Sequence, residues 1–192
     1  VVGCTGSSSM SVAMALIARP MIAGAWGVVV EAPMFGLEAA AEHGVPLTRL
    51  VRVDAGTAGD WADRIVAAAA GFEMIVTCPP PGAERHVRRV QHRLHSAGSV
   101  MFVVAPESTS MPCDVVVDTT SVTWDGLGVG HGHLCARRVV LGFGGRRVPR
   151  PIRHEMWLPT DRGRVAAVEP VGDVVREPAR VDGRPALVER AG

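Results

Sequence analysis

The sequence predicts a doubly wound α/β domain with a mainly parallel sheet and a C-terminal antiparallel extension, and three patterns predict it. Short, uninterrupted apolar runs alternate with helical segments as far as about residue 112, the pattern of strands buried on both faces by crossover helices. Helical patterns stop at Gly44, Gly71 and Gly98, where a residue free to take the left-handed conformation ends a helix. From about Val115 strands follow one another through Gly-rich turns without a helix between them, which only antiparallel pairing allows.

Taken in order, Val1-Val2-Gly3 is a strand end, Gly3 to Ser11 a loop of small residues, and Met10 to Ile22 a buried helix whose apolar run is interrupted by Arg19-Pro20. Trp26 to Val30 is a strand, and Gly36 to His43 a helix. Leu50 to Val53 is a strand, and Ala58 to Ala70 a helix. Met74 to Thr77 is a strand, after which Pro79-Pro80-Pro81 breaks the chain. Ala83 to Ala97 is a helix with an apolar stripe of Val87, Val90, Leu94 and Ala97, and Val100 to Val104 is the next strand. Val115 to Val117, Val122 to Trp124, Leu134 to Phe143 and His154 to Leu158 are successive antiparallel strands. One core spans 1–168, its α/β part about 1–112 and its antiparallel part about 113–168. The segment 169–192 mixes Pro, Gly, Arg and Glu and is expected to be flexible or ordered only on a partner. Trp26, Trp61, Trp124 and Trp157 lie in or beside these elements and are expected in the core.

The 192 residues are 47% apolar, which argues against disorder, and the formal net charge is +1, so no global basic field announces nucleic acid. Cys4, Cys78, Cys113 and Cys135 are widely spaced without a C-x-x-C pair, arguing against a zinc site or a disulfide framework and for a reduced, cytoplasmic setting. Met10 to Ile22 lacks the basic segment that precedes a signal-peptide core. No stretch approaches the ~20 apolar residues that span a bilayer, so no membrane contact is expected.

The opening loop reads Gly3-Cys4-Thr5-Gly6-Ser7-Ser8-Ser9-Met10-Ser11 between a strand and a helix. A phosphate-binding loop needs glycines for close backbone approach, a lysine for the outer phosphates and a Ser/Thr hydroxyl for magnesium. The chain holds twenty basic residues, every one an arginine. In the best register Gly3 is the first glycine, Ser8 takes the second, Ser9 the lysine and Met10 the hydroxyl, so the shape persists without its charge. An ordinary Ser-rich strand-turn-helix is the competing reading. Ser7 to Ser9 lie in no G-x-S-x-G elbow, which argues against a hydrolase. His131-Gly132-His133 lacks an evident third ligand, and a tight hairpin explains its glycines.

The helix Ala83 to Ala97 carries Arg85, His86, Arg88, Arg89, His92, Arg93 and His95, a candidate contact for nucleic acid or an acidic partner. Arg137, Arg138, Arg146, Arg147, Arg150 and Arg153 form a second cluster. No aromatic residue is seen interleaved with these clusters to stack bases, which limits the expectation to weak, non-specific DNA contact.

In that order, the loop, the alternating core and the antiparallel end resemble the RecA recombinase core, and most closely ImuA-type accessory factors of error-prone translesion synthesis in their short actinobacterial (ImuA-prime) form. The resemblance covers roughly Val1 to Leu158. It rests on Gly3 to Ser11, on Gly36 to Leu50 with its Gly44-Val45 and Leu47-x-x-Leu50, and on Trp124 to Leu134. It implies that the water-activating glutamate falls near Ala32, with Glu31 adjacent on the other face of a strand, and that the acid holding the metal's water falls on Cys78. With Ser9 and Met10, the parts of phosphoryl transfer are then missing together. The loops by which recombinases grip DNA, Cys78 to Gly82 and Ala105 to Pro112, are the length of ordinary connectors.

The resemblance therefore implies a non-catalytic scaffold without cofactor. It would act in SOS-induced mutagenesis, bind an ImuB-type inactive Y-family-like polymerase, and connect indirectly to an error-prone C-family polymerase and to RecA. The surface implied is the strand Leu50, Val51, Arg52, Val53 with the helix carrying Trp61, Ile65 and Ala69, where a RecA-like N-terminal segment would dock by β-augmentation. As the chain stands, it would accept such a segment without donating one. Two alternatives remain: a weak residual ATPase, and a RecA-related sequestering inhibitor of cell division.

Overall fold

The computed structural model describes residues 1–54, 58–128, 131–160 and 165–168; the expected tail 169–192 lies outside them. Strand β1 (Val2–Gly6) leads into helix α1 (Ser9–Ile22), then β2 (Gly27–Val30), α2 (Leu37–Glu42) and a 3-10 turn (Leu47–Arg49). β3 (Leu50–Val53), α3 (Ala58–Ala68) and β4 (Met74–Thr77) follow, then a second 3-10 turn (Ala83–His86), α4 (Val87–Ala97) and β5 (Val100–Ala105). The remainder is β6 (Val115–Gly128), β7 (His131–Gly144), β8 (Ile152–Trp157) and the short β9 (Ala166–Ala167).

These strands form one sheet in the order β3-β2-β4-β5-β1-β6-β7-β8-β9. β1 to β6 run parallel, and β6 to β9 pair antiparallel. The valine-rich central strands are buried on both faces because helices cover both. Cys4, Val29, Val76 and Phe102 pack under α1 and the Ala32–Val45 region. Val28, Val30, Ile75, Met101 and Val103 pack under α3 and α4. Val117, Val139, Leu141 and Leu158 extend the first of these cores beneath α1, while no residue of β6 to β8 belongs to the second.

The structure revises several details of the sequence reading. Val115–Val117 and Val122–Trp124 belong to one strand, because a bulge between Thr119 and Ser121 lets the ladder to β7 continue where the alternation breaks. α1 runs through Arg19-Pro20 and loses only the hydrogen bond that residue 20 would donate to the carbonyl of Leu16. The Ala83–Ala97 segment begins as a 3-10 turn, closed by Arg85 N–H to the Gly82 carbonyl at 3.3 Å, and Ala97 is exposed rather than part of the stripe. Trp26 and Trp124 stand 43% and 42% exposed, so only Trp61 of the four is deep core and Trp157 is half-buried.

Candidate functional site

β1 ends at Gly6 with φ +83°, and Ser7-Ser8 turn the chain into α1. A Cβ on Gly6 would lie 2.6 Å from the Thr119 carbonyl, so the backbone of β6 fills the space beside the loop. Ser8 is the N-cap but its hydroxyl caps nothing, and Ser8 Oγ and Thr119 Oγ1 are buried without a hydrogen-bond partner among the described residues. Ser8 and Ser9 are 3% and 5% exposed, and Met10 packs against the core under α1. The position where the lysine of a phosphate loop would stand is therefore interior, and a short uncharged side chain occupies it.

The two acid positions meet at the carboxyl ends of β2 and β4. Ala32 is buried. Glu31 is not a strand residue facing away, as expected, but the first residue beyond β2, in the left-handed region at φ +51°. Its N–H donates to the Val53 carbonyl at 3.1 Å, and its carbonyl accepts from Cys78 N–H at 3.3 Å. Burial, and then the neighbouring Glu31 carboxylate, push the Cys78 thiol pKa up. Cys78 borders a crevice of about 430 Å³ whose walls include Pro33, Met34, Pro79, Pro80 and Met111 together with Glu84, Ser108, Thr109 and Ser110. The residue at the end of β4 is thus a thiol where the water of a hard metal ion would need an oxygen partner.

Among the described residues no group of three or more His, Cys, Asp or Glu side chains converges as a metal site. The His131 side chain and residues 129–130 are outside the description. All four cysteines are free thiols, and burial followed by Cys113 pushes Cys4 up to about 12. No helix among the described residues is long and apolar enough to cross a membrane.

The basic helix is less free than its sequence suggests. Arg89 is paired with Asp63 of α3 at 2.6 Å, and Arg93 Nε donates to the Val66 carbonyl at 3.4 Å. Arg85, whose guanidinium lies beside Gly82, and Arg88 are both exposed and make no side-chain hydrogen bond or ion pair among the described residues. In the second cluster Arg138 pairs with Glu155 at 3.3 Å, and Arg146 and Arg147 converge on Asp114 at 2.8 and 3.8 Å. Contrary to the sequence reading, an aromatic does interleave here. Arg137 and Trp124 are cross-strand partners, with the guanidinium 5.2 Å from the ring centroid.

The seven residues expected to form a partner surface separate into two sets. Trp61, Ile65 and Ala69 are at most 3% exposed in the core under α3 and α4, and the Trp61 indole N–H donates to Thr77 Oγ1 at 2.7 Å. They offer a partner nothing, because the period that puts them on one helix face points that face inward. Leu50, Val51, Arg52 and Val53 form the end strand of the sheet, paired among the described residues with β2 alone. Since Val53 accepts from Glu31, Val51 and Val53 turn their backbone groups toward β2, and in a parallel ladder those of Leu50 and Arg52 point outward; the Leu50 N–H is taken up by the Leu47 carbonyl of the 3-10 turn, which leaves the Leu50 carbonyl and both backbone groups of Arg52 facing outward. Sequence reasoning missed the pair beside this edge. The Arg49 guanidinium lies 5.7 Å from the Trp26 ring centroid, and its only signal was that Trp26 and Arg49 each immediately precede a paired strand.

Residues 1–109 match the model of the family described as MT3502 N-terminal domain. No curated protein matches the chain. Among solved structures, the RadB recombinase is 14% identical with a TM-score of 0.57, over 88% of this chain and 91% of that one. SulA from Pseudomonas aeruginosa is 12% identical with a TM-score of 0.43, over 53% of this chain and 92% of that one. The RadB likeness establishes the fold as RecA-like.

Proposed function

We propose, from the premise that this chain belongs to the MT3502 N-terminal domain family, that it is a non-catalytic RecA-like adaptor of the ImuA type. It serves DNA-damage tolerance by binding an ImuB-type polymerase-like partner and, through it, an error-prone C-family polymerase. The observation that carries the reading is a phosphate-type loop without its charged and metal-binding groups. Ser9 stands buried at the lysine position, β6 lies against Gly6, and Ala32 and Cys78 replace the two acids. A fold that keeps the packing of a nucleotide-binding core without cation, metal ligand or water activator fits a part used for its surfaces. The β3 edge, with the Leu50 carbonyl and the N–H and carbonyl of Arg52 directed outward, is the surface assigned to the partner strand. RecA and weak DNA contact through Arg85 and Arg88 belong to the same proposal as secondary partners.

Two measurements test it. In thermal or urea unfolding, magnesium-ATP leaves the stability unchanged; a nucleotide binder at ~100 times its dissociation constant would gain ~2.7 kcal/mol. Co-purification from damaged cells recovers a polymerase-like protein and fails for Arg52→Pro, which removes the outward N–H of β3. Recovery of a cell-division protein in its place, or stabilisation by nucleotide, overturns the assignment.

A further inference from the structure

Beside the β3 edge the chain holds an exposed aromatic in a fixed position. Trp26 immediately precedes β2, its N–H donates to Glu73 Oε2 at 2.7 Å, and its carbonyl accepts from Met74 N–H at 3.1 Å. Arg49 immediately precedes β3, directly across the ladder from Trp26, because Gly27 pairs with Leu50. Its guanidinium lies over the indole, and Nη1 donates to the Gly24 carbonyl at 2.7 Å. The Trp26 backbone and the Arg49 side chain are thus held in place before anything binds. Folding alone does not call for the pair, since 43% of Trp26 remains in solvent. Arg49 makes no ion pair with any described carboxylate, so among the described residues its charge meets the Gly24 carbonyl and the indole face.

The pair is continuous with the edge. Val53 packs into the core under α3, so Val51, two residues earlier, lies on the same face of β3, and it is 38% exposed. Trp26, two residues before the core residue Val28, continues that face on the neighbouring strand, and Arg49, the last residue of the 3-10 turn, lies beside it. A strand added outside β3 would therefore bring one side chain against Val51 and the next on that face against the Trp26–Arg49 pair.

We propose that Trp26 and Arg49 set the register of an extended partner segment added to β3, and that this segment carries an acidic residue two positions from an apolar one. The apolar residue covers Val51. The carboxylate meets the guanidinium held over Trp26, and the charge pairing selects this register over a slip of one residue, which would turn both side chains to the opposite face. The inference rests on the β3 edge being the docking strand and adds to it the chemistry of the occupant. A Trp–Arg pair is the composition in which interface energy concentrates.

The test is selection from a displayed library of nine-residue peptides with threonine at alternate positions and the others randomised, against the wild-type chain, Arg49→Glu and Arg52→Pro, each checked for folding by circular dichroism. Wild-type selection is expected to yield acid-x-apolar segments that lose about tenfold or more in affinity for Arg49→Glu, which itself selects lysine or arginine at the acidic position. Arg52→Pro binds neither set. Edge-dependent peptides with no acidic preference, equally bound by Arg49→Glu, overturn the register proposal and leave the β3 edge standing as the docking strand. Absence of any binder lost in Arg52→Pro overturns both.

Discussion

Replacing Trp61 by Phe separates a core residue from a contact residue. The indole is fully buried, and its N–H reaches Thr77 Oγ1 at 2.7 Å, with Thr77 itself 0% exposed. Phenylalanine removes the donor and leaves the Thr77 hydroxyl without that partner, at a cost of about 1–3 kcal/mol. The smaller ring also leaves about 40 Å³ unfilled, which at ~24 cal/mol per Å³ adds about 1 kcal/mol. A loss of about 2–4 kcal/mol should move the urea midpoint down by roughly 1–2 M at an m-value near ~2 kcal/mol/M. Circular dichroism against urea reads this shift for Trp61→Phe, Thr77→Val and the double variant. The double variant should be less destabilised than the sum of the singles by ~1 kcal/mol or more, because the orphaned hydroxyl is gone. A loss below ~0.5 kcal/mol for Trp61→Phe, together with failure to bind the partner, would refute the placement of Trp61 in the core.

Three further outcomes follow from named contacts. Gly6→Ala, at φ +83° with its new methyl 2.6 Å from the Thr119 carbonyl, should cost about 1–3 kcal/mol in the same unfolding assay, and an unchanged midpoint would show that β6 does not close over the loop. With iodoacetamide at pH 8, exposed Cys135 should be modified first and buried Cys4, whose thiol is held near 12, last, whereas urea should equalise all four; mass spectrometry showing Cys4 as fast as Cys135 would contradict its burial. Burial first and then Arg137 hold the His43 pKa below 6.5, against a smaller opposing pull from Glu42, and neither ring nitrogen has a hydrogen-bond partner among the described residues. The unfolded state therefore binds the extra proton as pH falls through 6.5, so wild-type stability should decline from pH 7.5 to 5.5 more steeply than that of His43→Gln, and parallel curves would remove His43 as the cause.

Much of the fold was legible because a strand buried on both faces leaves its mark in composition. β3 and β4 were read to the residue and β2 and β5 to within one, whereas β1 runs on to Gly6 through residues read as loop and β6 was read as two strands. The candidate site was legible only through the resemblance, which sets Ser9, Met10, Ala32 and Cys78 where a recombinase keeps its lysine, its magnesium-binding hydroxyl and two acids. What failed was any statement about which neighbour a side chain meets. Trp61, Ile65 and Ala69 share a helix face, but period alone does not say whether that face meets solvent or β2 and β4. Trp124 and Arg137 are thirteen positions apart and become partners only through the bulged ladder of β6 and β7. Arg89 looked free until α3 brought Asp63 to it.

By itself, then, the sequence determined the order of strands and helices, the change from parallel to antiparallel pairing, and the absence of lysine from the loop. These are local properties, written in side-chain period, turn residues and residue type. Tertiary structure alone decided that β6 closes over Gly6, that β3 ends the sheet with outward-pointing backbone groups, and that Arg49 lies on Trp26 beside that edge. Each joins residues from different strands, and which segments pair is settled by burying all the apolar faces at once rather than by any one segment.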